Sequence, residues 1–335
     1  MKLFQGLRPE FVAIGETTID AFIRLKDASV NCDINKENCK ICMDFGAKIP
    51  FEFAEEIPAV GNAANASVSA ARLGLSSALV ANVGKDKNGE ACLDSLKKDG
   101  VITNFVKINP DKATNYHYIL WFEDDRTILQ KHSDFNYKLP NIPKPKWIYL
   151  TSLGEKSINL FNELAEYLKK NSEIKLAFQP GIFQLKWGYE KLRGIYDQTE
   201  VFFCNIEEAK SILNITEHIE IKDLIKKIKE LGPKIIVLTD GVKGAYTYDD
   251  TDFLFMPPYP DPKPPYERTG AGDAFASTFI AALALGKPLE TALTWAPVNS
   301  MSVVQYVGAQ KGLLTRKQLE KFLAKAPENY KVQKI

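Results

Sequence analysis

The sequence predicts an α/β fold in which helices cover a largely parallel central sheet, with a small β lid attached. Two observations lead to this prediction. Short apolar stretches of strand length alternate along the chain with longer helical stretches, which is typical of βαβ units. Two further stretches fit neither a covered strand nor a helix, and they predict an additional structure of another kind.

The elements of the main fold follow from these patterns in chain order. The first core strand is predicted at 11–15, a short apolar run that ends in Gly15. An alanine-rich helix is predicted at 62–73, and Gly74 lies just past its end. The same patterns predict strands at 78–83, 147–150, 176–178, 201–204 and 235–239, and helices at 90–98, 157–170, 206–213 and 221–231.

Two segments, 21–59 and 114–132, do not belong in a helix-covered parallel sheet. The second alternates Tyr, Ile, Leu and Phe around a charged group at 123–126, which predicts a β-hairpin with a charged turn. We interpret both segments as parts of a lid inserted into a single domain that spans 1–335. Two unrelated surface insertions are the alternative, because functional and decorative loops look alike in sequence.

The charge of the chain argues against two kinds of partner. Its 335 residues carry a formal net charge of +1, which gives no reason to expect nucleic acid or a membrane surface as a partner.

The stretch 1–11 lacks the apolar core of a signal peptide, and the longest apolar-rich run, 274–285, is too short to span a bilayer. We therefore expect a cytoplasmic protein.

Three of the five cysteines, Cys32, Cys39 and Cys42, lie in the first lid segment. The odd number in a chain of this length argues against a secreted disulfide scaffold. A C-x-x-C pair with a third thiolate could hold zinc if a fourth ligand, such as Asp44, closed the site. Free cysteines packed inside the lid are the favoured alternative, because no fourth ligand is obvious.

The sharpest chemical feature is a glycine-rich turn that follows a proline-rich connector at 257–265 and leads directly into a helix. The turn consists of Thr269, Gly270, Ala271, Gly272 and Asp273. Such a turn lets backbone N–H groups face an anion, and the helix dipole adds to the attraction. Asp273 could take the proton of a substrate hydroxyl held beside a phosphate. A carboxylate that only stabilises the helix start is the alternative.

This turn resembles the C-terminal motif of the PfkB family of carbohydrate kinases, D-T-x-G-A-G-D. The core Gly-Ala-Gly-Asp is intact, whereas Glu267 and Arg268 replace the first two motif residues. The stretch 60–74 is similar to the family pattern G-G-x-x-x-N-x-A and its following helix, with Val60 in place of the first glycine. Further matches occur in family order at 16–20, 83–89, 205–208 and 239–245. Several motifs in the family order are stronger evidence than any one of them.

The resemblance implies a ribokinase-like, three-layer α/β/α domain with a mostly parallel central sheet and a small β lid. It also implies in-line transfer of a phosphoryl group from ATP or ADP to a hydroxyl of a sugar or nucleoside, with Asp273 as the catalytic base. Backbone N–H groups of Gly270, Ala271 and Gly272 would hold the transferring group. The implied contacts are Asp20, Gly61, Asn62 and Asn65 for the acceptor, Asn205, Thr239, Gly241 and Gly244 for the nucleotide, and Glu208 for Mg²⁺ through water.

The resemblance further implies a monovalent-cation site near Glu267 and 308–310, and it is compatible with a homodimer. Each match also has a structural alternative. Asp20 could cap a turn, Asn62 and Asn65 could cap a helix, Glu208 could be a solvated helix residue, and Gly241 and Gly244 could shape a hairpin.

Other functions remain open at this point. A sugar-phosphate kinase of the same family is one, but the segments implied in acceptor binding contain no Lys or Arg to clamp a phosphate, which favours a nucleoside or a free sugar. A non-catalytic sugar- or nucleotide-binding regulator is another, although it would have no need of Asp273. A dinucleotide oxidoreductase is rejected, because no G-x-G-x-x-G follows the first strand.

Overall fold

The protein is described here by a computed structural model that covers residues 8–32, 39–123 and 125–335. Its α-helices are α1 (Asn62–Arg72), α2 (Lys87–Lys98), α3 (Ile158–Lys169), α4 (Ile182–Tyr196), α5 (Ile206–Leu213), α6 (Ile221–Lys229), α7 (Ala271–Ala284), α8 (Leu289–Val303) and α9 (Arg316–Leu323). Its strands are β1 (Phe11–Ile14), β2 (Thr18–Leu25), β3 (Ser29–Asn31), β4 (Lys40–Cys42), β5 (Phe51–Val60), β6 (Ser77–Gly84), β7 (Val106–Asn109), β8 (Asn115–Phe122), β9 (Asp125–Lys131), β10 (Trp147–Leu150), β11 (Lys175–Phe178), β12 (Thr199–Asn205), β13 (Ile235–Thr239), β14 (Ala245–Tyr248), β15 (Phe253–Met256) and β16 (Gln333–Lys334). Within the described ranges, no helix has both the length and the apolar character needed to cross a membrane.

A ten-stranded sheet forms the centre of the fold, in the order β16-β15-β14-β13-β12-β11-β10-β1-β6-β7. The pairs from β13 to β7 are parallel, and those from β13 to β16 are antiparallel. The prediction of a largely parallel sheet is therefore confirmed. Because parallel strands point the same way, their carboxyl ends meet at one edge, where ligands of such folds bind.

Helices cover both faces of this sheet. Successive side chains of a strand point to opposite faces, so Phe11 and Ala13 enter one apolar core while Val12 and Ile14 enter the other. Helices α1, α2, α7, α8 and α9 pack on the first face, and α3, α4, α5 and α6 pack on the second. This confirms the three-layer α/β/α arrangement and explains why β1 is an unbroken apolar run.

The local predictions were most accurate where the apolar period was uninterrupted. The strands predicted at 147–150 and 235–239 and the helix at 206–213 have those bounds in the structure. Helices α4, α8 and α9 were not predicted. Gly188 interrupts α4 with φ 76°, and Pro297 lies inside α8, so both sequences give a weak helical pattern.

A second sheet of four strands, in the order β5-β2-β8-β9, stands apart from the central sheet. β8 and β9 pair antiparallel and form the predicted hairpin, while Asp124 of the predicted charged turn lies outside the described residues. β2 begins at Thr18, so the second sheet starts before residue 21, where the first lid segment was predicted to begin. Asp20 is thereby placed on a strand of this sheet.

One face of the second sheet packs against a loop near the C-terminus. Phe22, Ile119 and Trp121 form a small buried cluster with Val307. A Cβ on the neighbouring Gly308 would lie 2.4 Å from Cδ1 of Ile57, so the loop approaches the sheet closely. This packing sets the position of the second sheet relative to the loops around α7.

The cysteine-rich part of the chain forms a small exposed hairpin in which β3 and β4 pair antiparallel. A disulfide joins Cys32 and Cys39, and residues 33–38 between them lie outside the described residues. Cys42 is a free thiol whose Sγ accepts a hydrogen bond from Asn31 Nδ2 at 3.3 Å. The interpretation as packed free cysteines is therefore wrong for Cys32 and Cys39, because the hairpin register brings the two strand ends together. Among the described residues, no group of three or more metal-binding side chains occurs.

Candidate active site

The glycine-rich turn places Asp273 in the first turn of α7. Gly270 precedes the helix with φ 81°, and a Cβ there would lie 2.3 Å from the Cβ of Ala309, so only glycine fits. The side chain of Asp273 lies near the carboxyl edge of the central sheet, and the residue is 7% exposed. Gly270, Ala271 and Gly272 at this helix start line a cavity, which is where an anion site at a helix N-terminus would lie.

Two asparagines of α1 hold the Asp273 carboxylate. Asn62 Nδ2 donates to Oδ1 at 2.9 Å, and Asn65 Nδ2 donates to Oδ2 at 2.8 Å. Gln310 Nε2 in turn donates to Asn65 Oδ1 at 3.0 Å, which fixes that asparagine. Gly61 permits the sharp entry into α1, with φ 103°. The two sequence motifs, about 200 residues apart, thus meet at one carboxylate.

The environment of Asp273 adjusts its acidity. Burial raises the pKa of this carboxyl from 3.8 to about 6, and the charge of Asp20 adds to the increase. The hydrogen bonds from Asn65 and Asn62 favour the ionised form and oppose this increase in pKa. A carboxylate with a pKa near 6 is mostly ionised at neutral pH, yet it is a stronger base than an ordinary aspartate.

A cavity of about 350 Å³ opens above Asp273 between the two sheets. The structure brings most of the predicted site residues to its wall: Asp20, Gly61, Asn62, Asn65, Asn205, Glu208, Thr239, Gly270, Ala271, Gly272 and Asp273. We call it the first cavity. Gly241 and Gly244 do not line it.

The second sheet contributes a row of three polar side chains to the first cavity. Asp20 on β2 lies opposite His117 on β8, and His117 lies opposite Gln130 on β9. Residues directly opposite each other share a face of a sheet, so the three side chains point the same way. His117 Nδ1 lies 3.2 Å from Asp20 Oδ1. The row gives the cavity a wall of hydrogen-bonding groups.

A second histidine–carboxylate pair lies beside this row. His132 Nδ1 is 3.1 Å from Glu16 Oε2, and this bond raises the pKa of His132. The His132 and His117 rings are 5.1 Å apart, and Phe183 packs edge-on to His132 at 6.0 Å. These groups line a smaller cavity that continues from the first one. His117 and His132 are 15 residues apart and show no metal-ligand spacing in the sequence; they meet because β8 and β9 pair as a hairpin.

A further cavity of about 280 Å³ lies on the other side of the α7 start. Gly241 and Gly244 line it, so the predicted nucleotide segment lies here. Thr239 and Arg268 line both this second cavity and the first one. The glycine-rich turn therefore separates two connected spaces, and the wall of the second one is largely apolar.

Asn205 and Glu208 cap helix α5 reciprocally. Asn205 Oδ1 accepts from the Glu208 N–H at 2.8 Å, and Glu208 Oε2 accepts from the Asn205 N–H at 2.9 Å. Burial raises the pKa of Glu208, the Asn205 hydrogen bond opposes this, and the charge of Asp273 adds to the increase. One carboxylate oxygen is thus used by the cap, and the side chain still reaches the first cavity. This arrangement fits a carboxylate that holds Mg²⁺ through water.

The family resemblance implies a monovalent cation near Glu267, and the contacts of this carboxylate bear on that implication. Glu267 is 3% exposed, and its Oε1 accepts from the N–H of Thr269 at 2.7 Å and from the Thr269 hydroxyl. Arg126 Nε, from β9, lies 3.6 Å from the same oxygen. The other oxygen, Oε2, is buried and receives no hydrogen bond from the described residues. One oxygen of this carboxylate is therefore still able to bind a cation.

The fold and the two connected cavities are those of a small-molecule kinase. Residues 55–316 match the family model described as pfkB family carbohydrate kinase, and the chain belongs to this family of enzymes.

Relatives and solved structures agree with this assignment. A ribokinase of Bacillus subtilis (strain 168) is 28% identical over 278 residues, which cover 79% of this chain and 87% of that protein. A cytidine kinase of Thermococcus kodakarensis is 31% identical over 242 residues, covering 69% of this chain and 82% of that protein. The structure of Arabidopsis thaliana ribokinase complexed with ribose and ATP matches with a TM-score of 0.78 at 19% identity, covering 94% and 99% of the two chains. The predicted ribokinase-like fold is confirmed.

Proposed function

We propose that this kinase transfers the γ-phosphoryl group of ATP to a hydroxyl of a nucleoside or a free sugar, with Asp273 as the general base. The observation that carries the proposal is the place of Asp273, at a helix start between two connected cavities. The acceptor would lie in the first cavity and the nucleotide in the second. The Arabidopsis relative in complex with ribose and ATP supports a sugar hydroxyl and ATP as the two substrates.

The acceptor side would work by orientation and proton removal. Asp20, Asn62 and Asn65 would hydrogen-bond the acceptor hydroxyls, with Gly61 allowing close approach. Each carboxylate oxygen has two lone pairs, so Asp273 can accept the proton of the attacking hydroxyl while its asparagine bonds persist. The new bond joins the acceptor oxygen to the γ-phosphorus, the bond to the β-phosphate oxygen breaks, and ADP leaves with that electron pair.

The donor side would hold and neutralise phosphates. N–H groups of Gly270, Ala271 and Gly272 would contact the transferring group, while Thr239, Gly241 and Gly244 would contact the nucleotide and Asn205 would lie near its phosphates. Glu208 would hold Mg²⁺ through water. When bound, Mg²⁺ offsets charge on the phosphates.

The second sheet would act as a lid inserted into a single kinase domain. It forms one wall of the first cavity through β2, β8 and β9. Its closure over both substrates would exclude water, which otherwise competes as the phosphoryl acceptor.

The choice of a nucleoside or free sugar over a sugar phosphate depends on charge. Asp20 and Asp273 both line the first cavity and would repel an acceptor phosphate. Two arginines, Arg126 and Arg268, also line it, so cations that could clamp a phosphate are present. Glu267 lies beside Arg126 and offsets part of its charge.

A substrate panel tests the proposal directly. ADP release and acceptor phosphorylation are measured for ribose, cytidine and two sugar phosphates under the same conditions. We expect kcat/KM for ribose or cytidine to exceed that for either sugar phosphate. A preference of more than about a hundredfold for a sugar phosphate would overturn the acceptor class. Binding of ATP and an acceptor without any phosphoryl transfer would instead support a regulatory protein.

A homodimer is a further part of the proposal. The outer face of the second sheet exposes Tyr118 and Leu129, which lie directly opposite each other on β8 and β9. Adjacent exposed apolar side chains on a sheet are typical of a contact surface.

A further inference from the structure

Gln179 lines the first cavity, although it belongs to none of the sequence motifs that predicted the site. It directly follows β11, which lies between β10 and β12 in the central sheet. Its backbone N–H donates to the Leu150 carbonyl at 3.0 Å, and Pro180 follows it, so the backbone is held firmly at this point. The side chain therefore extends from a fixed position on the carboxyl edge of the sheet, where ligands of such folds bind.

A buried tyrosine fixes the orientation of the Gln179 amide. The hydroxyl of Tyr149, on β10, donates a hydrogen bond to Gln179 Oε1, and Tyr149 is fully buried. Burial raises the pKa of Tyr149 well above its usual value, and the charge of Asp273 adds to the increase. The hydroxyl therefore keeps its proton and remains a donor. Because the amide oxygen accepts this bond, the NH₂ group points the other way.

The NH₂ group of Gln179 faces the glycine-rich turn. A Cβ placed on Gly272 would have Gln179 Nε2, at 3.8 Å, as its only neighbour within 4 Å among the described residues, apart from the adjoining residues and its own helix. Nε2 donates no hydrogen bond to any residue in the ranges that the structure describes, and it is not enclosed by protein atoms. An unpaired donor thus opens into the first cavity, beside the turn whose N–H groups would hold the transferring phosphoryl group.

The chemistry of an amide decides what this group can bind. An NH₂ group has two N–H donors and no lone pair for a metal ion or a proton, so it suits phosphoryl oxygens and not Mg²⁺. Gln179 does not line the second cavity, so these donors do not face the space proposed for the nucleotide. Donors that are already aimed at the place where negative charge develops are a main source of catalysis in such reactions.

We propose that Gln179 is a catalytic residue whose Nε2 donates hydrogen bonds to oxygens of the transferring phosphoryl group, and that Tyr149 is its positioning residue. The inference rests on the proposed function. Gln179 and the glycine-rich turn bind the phosphoryl oxygens from two sides. No proton leaves Gln179, because Asp273 takes the acceptor proton and ADP leaves with the electron pair of the broken bond.

Two substitutions distinguish a hydrogen-bond donor from a side chain that only fills space. Gln179→Ala should lower kcat by about 10²-fold and change the KM of ATP and of the acceptor by less than about threefold. Gln179→Glu keeps the size of the side chain and an oxygen for Tyr149, but at about pH 8 it replaces the NH₂ group with a negative oxygen. Its kcat should therefore be no higher than that of Gln179→Ala.

The control for these variants is Gln318→Ala. Gln318 caps α9 and lines neither cavity, so kcat should stay within about threefold of the wild type. A kcat for Gln179→Glu within about tenfold of the wild type would overturn the proposal, and this variant carries the test alone if Gln179→Ala does not fold. A higher acceptor KM with unchanged kcat would make Gln179 an acceptor contact and would also overturn it.

The role of Tyr149 is tested by removing only its hydroxyl. Tyr149→Phe should lower kcat about tenfold, but in the Gln179→Ala background the same change should alter kcat by less than about twofold. The pH of half-maximal kcat should stay the same, which separates this effect from one on Asp273. The control is Tyr330→Phe, whose buried hydroxyl bonds the Thr294 carbonyl at 2.6 Å and which lines neither cavity. Equal losses in both backgrounds, or a shifted pH, would show that Tyr149 does not act through Gln179.

Binding of a transition-state mimic separates this inference from the proposed function, because it needs no acceptor. ADP with Mg²⁺ and aluminium fluoride mimics the transferring phosphoryl group. Gln179→Ala should weaken binding of this mimic by at least about thirtyfold and change binding of Mg²⁺·ADP by less than about threefold. If no acceptor is phosphorylated but the mimic is discriminated, the acceptor assignment fails and Gln179 keeps its role. Equal binding of the mimic by the variant and the wild type would exclude the contact even if the panel reveals an acceptor.

Discussion

Asp273 combines three properties in one side chain: burial, two asparagine hydrogen bonds and a place at a helix start. Burial raises the pKa of this carboxyl and so favours its neutral form, whereas the asparagine bonds and the helix N-terminus favour the ionised form. The balance produces a base that is ionised at neutral pH and still takes up a proton readily. The sequence was enough to predict Asp273 at a helix start, because the glycine-rich turn and the apolar run that follows it are consecutive residues.

The first prediction concerns the base itself. Asp273→Asn should lower kcat by about 10²–10⁴-fold, because the amide cannot accept the proton of the attacking hydroxyl. The dissociation constant for ATP should stay within about threefold of the wild type, since the proposal puts the nucleotide in the second cavity, which Asp273 does not line. Circular dichroism and calorimetric titration provide the controls for folding and binding. A kcat near that of the wild type would remove Asp273 from the mechanism.

The pH dependence of turnover follows from the same pKa. The base must be ionised, so kcat should rise as pH increases through about 6 and then level off. Asn65→Ala removes a hydrogen bond that favours the carboxylate, so the pKa of Asp273 should increase and the rising limb should move to higher pH. The matched control is Asn171→Ala, whose side chain bonds a carbonyl of α3, and its profile should match the wild type. A rising limb at the same pH in Asn65→Ala would contradict this account.

At the scale of elements, strand register decides which side chains meet. Asp20 could be predicted from the sequence as a residue of the site, since it lies in a short motif next to the first strand. His117 and Gln130 could not be predicted there. Their place on the cavity wall depends on the parallel pairing of β8 with β2 and on the register of the β8–β9 hairpin. The contact between Arg126 and Glu267 could not be predicted either, because it joins two segments that are far apart in the sequence.

The row across β2, β8 and β9 leads to a prediction about acceptor binding. Gln130→Ala should raise the acceptor KM about tenfold, the effect of one lost hydrogen bond of about 1.4 kcal/mol, and leave the KM for ATP unchanged. Thr127→Ala is the matched control, because Thr127 lies on the same strand and points to the opposite face. A parallel change in both KM values would indicate a general distortion of the sheet and not an acceptor contact.

For the whole molecule, the pattern of strands and helices determined the fold class but not the order of strands. The alternation of apolar strands and helices predicts a covered parallel sheet, because such strands are buried on both faces. The order within the sheet depends on long-range packing, such as the contact of α1 with α7 that brings Asn62 and Asn65 to Asp273. No short stretch of sequence contains that information.

The quaternary prediction also belongs to this scale. Tyr118 is 46% exposed and Leu129 is 52% exposed on the outer face of the second sheet, and burying both against a second copy would release water from apolar surface. We expect light scattering to show a mass about twice that of one chain at micromolar concentration. The double variant Tyr118→Lys/Leu129→Lys should show the mass of one chain, because like charges would then face each other across the contact. The control is Ile108→Lys, because Ile108 is 51% exposed on β7 at the far edge of the central sheet, and this variant should keep the doubled mass. A doubled mass in the Tyr118→Lys/Leu129→Lys variant would place the contact elsewhere, and a single-chain mass for the wild type would exclude a stable dimer.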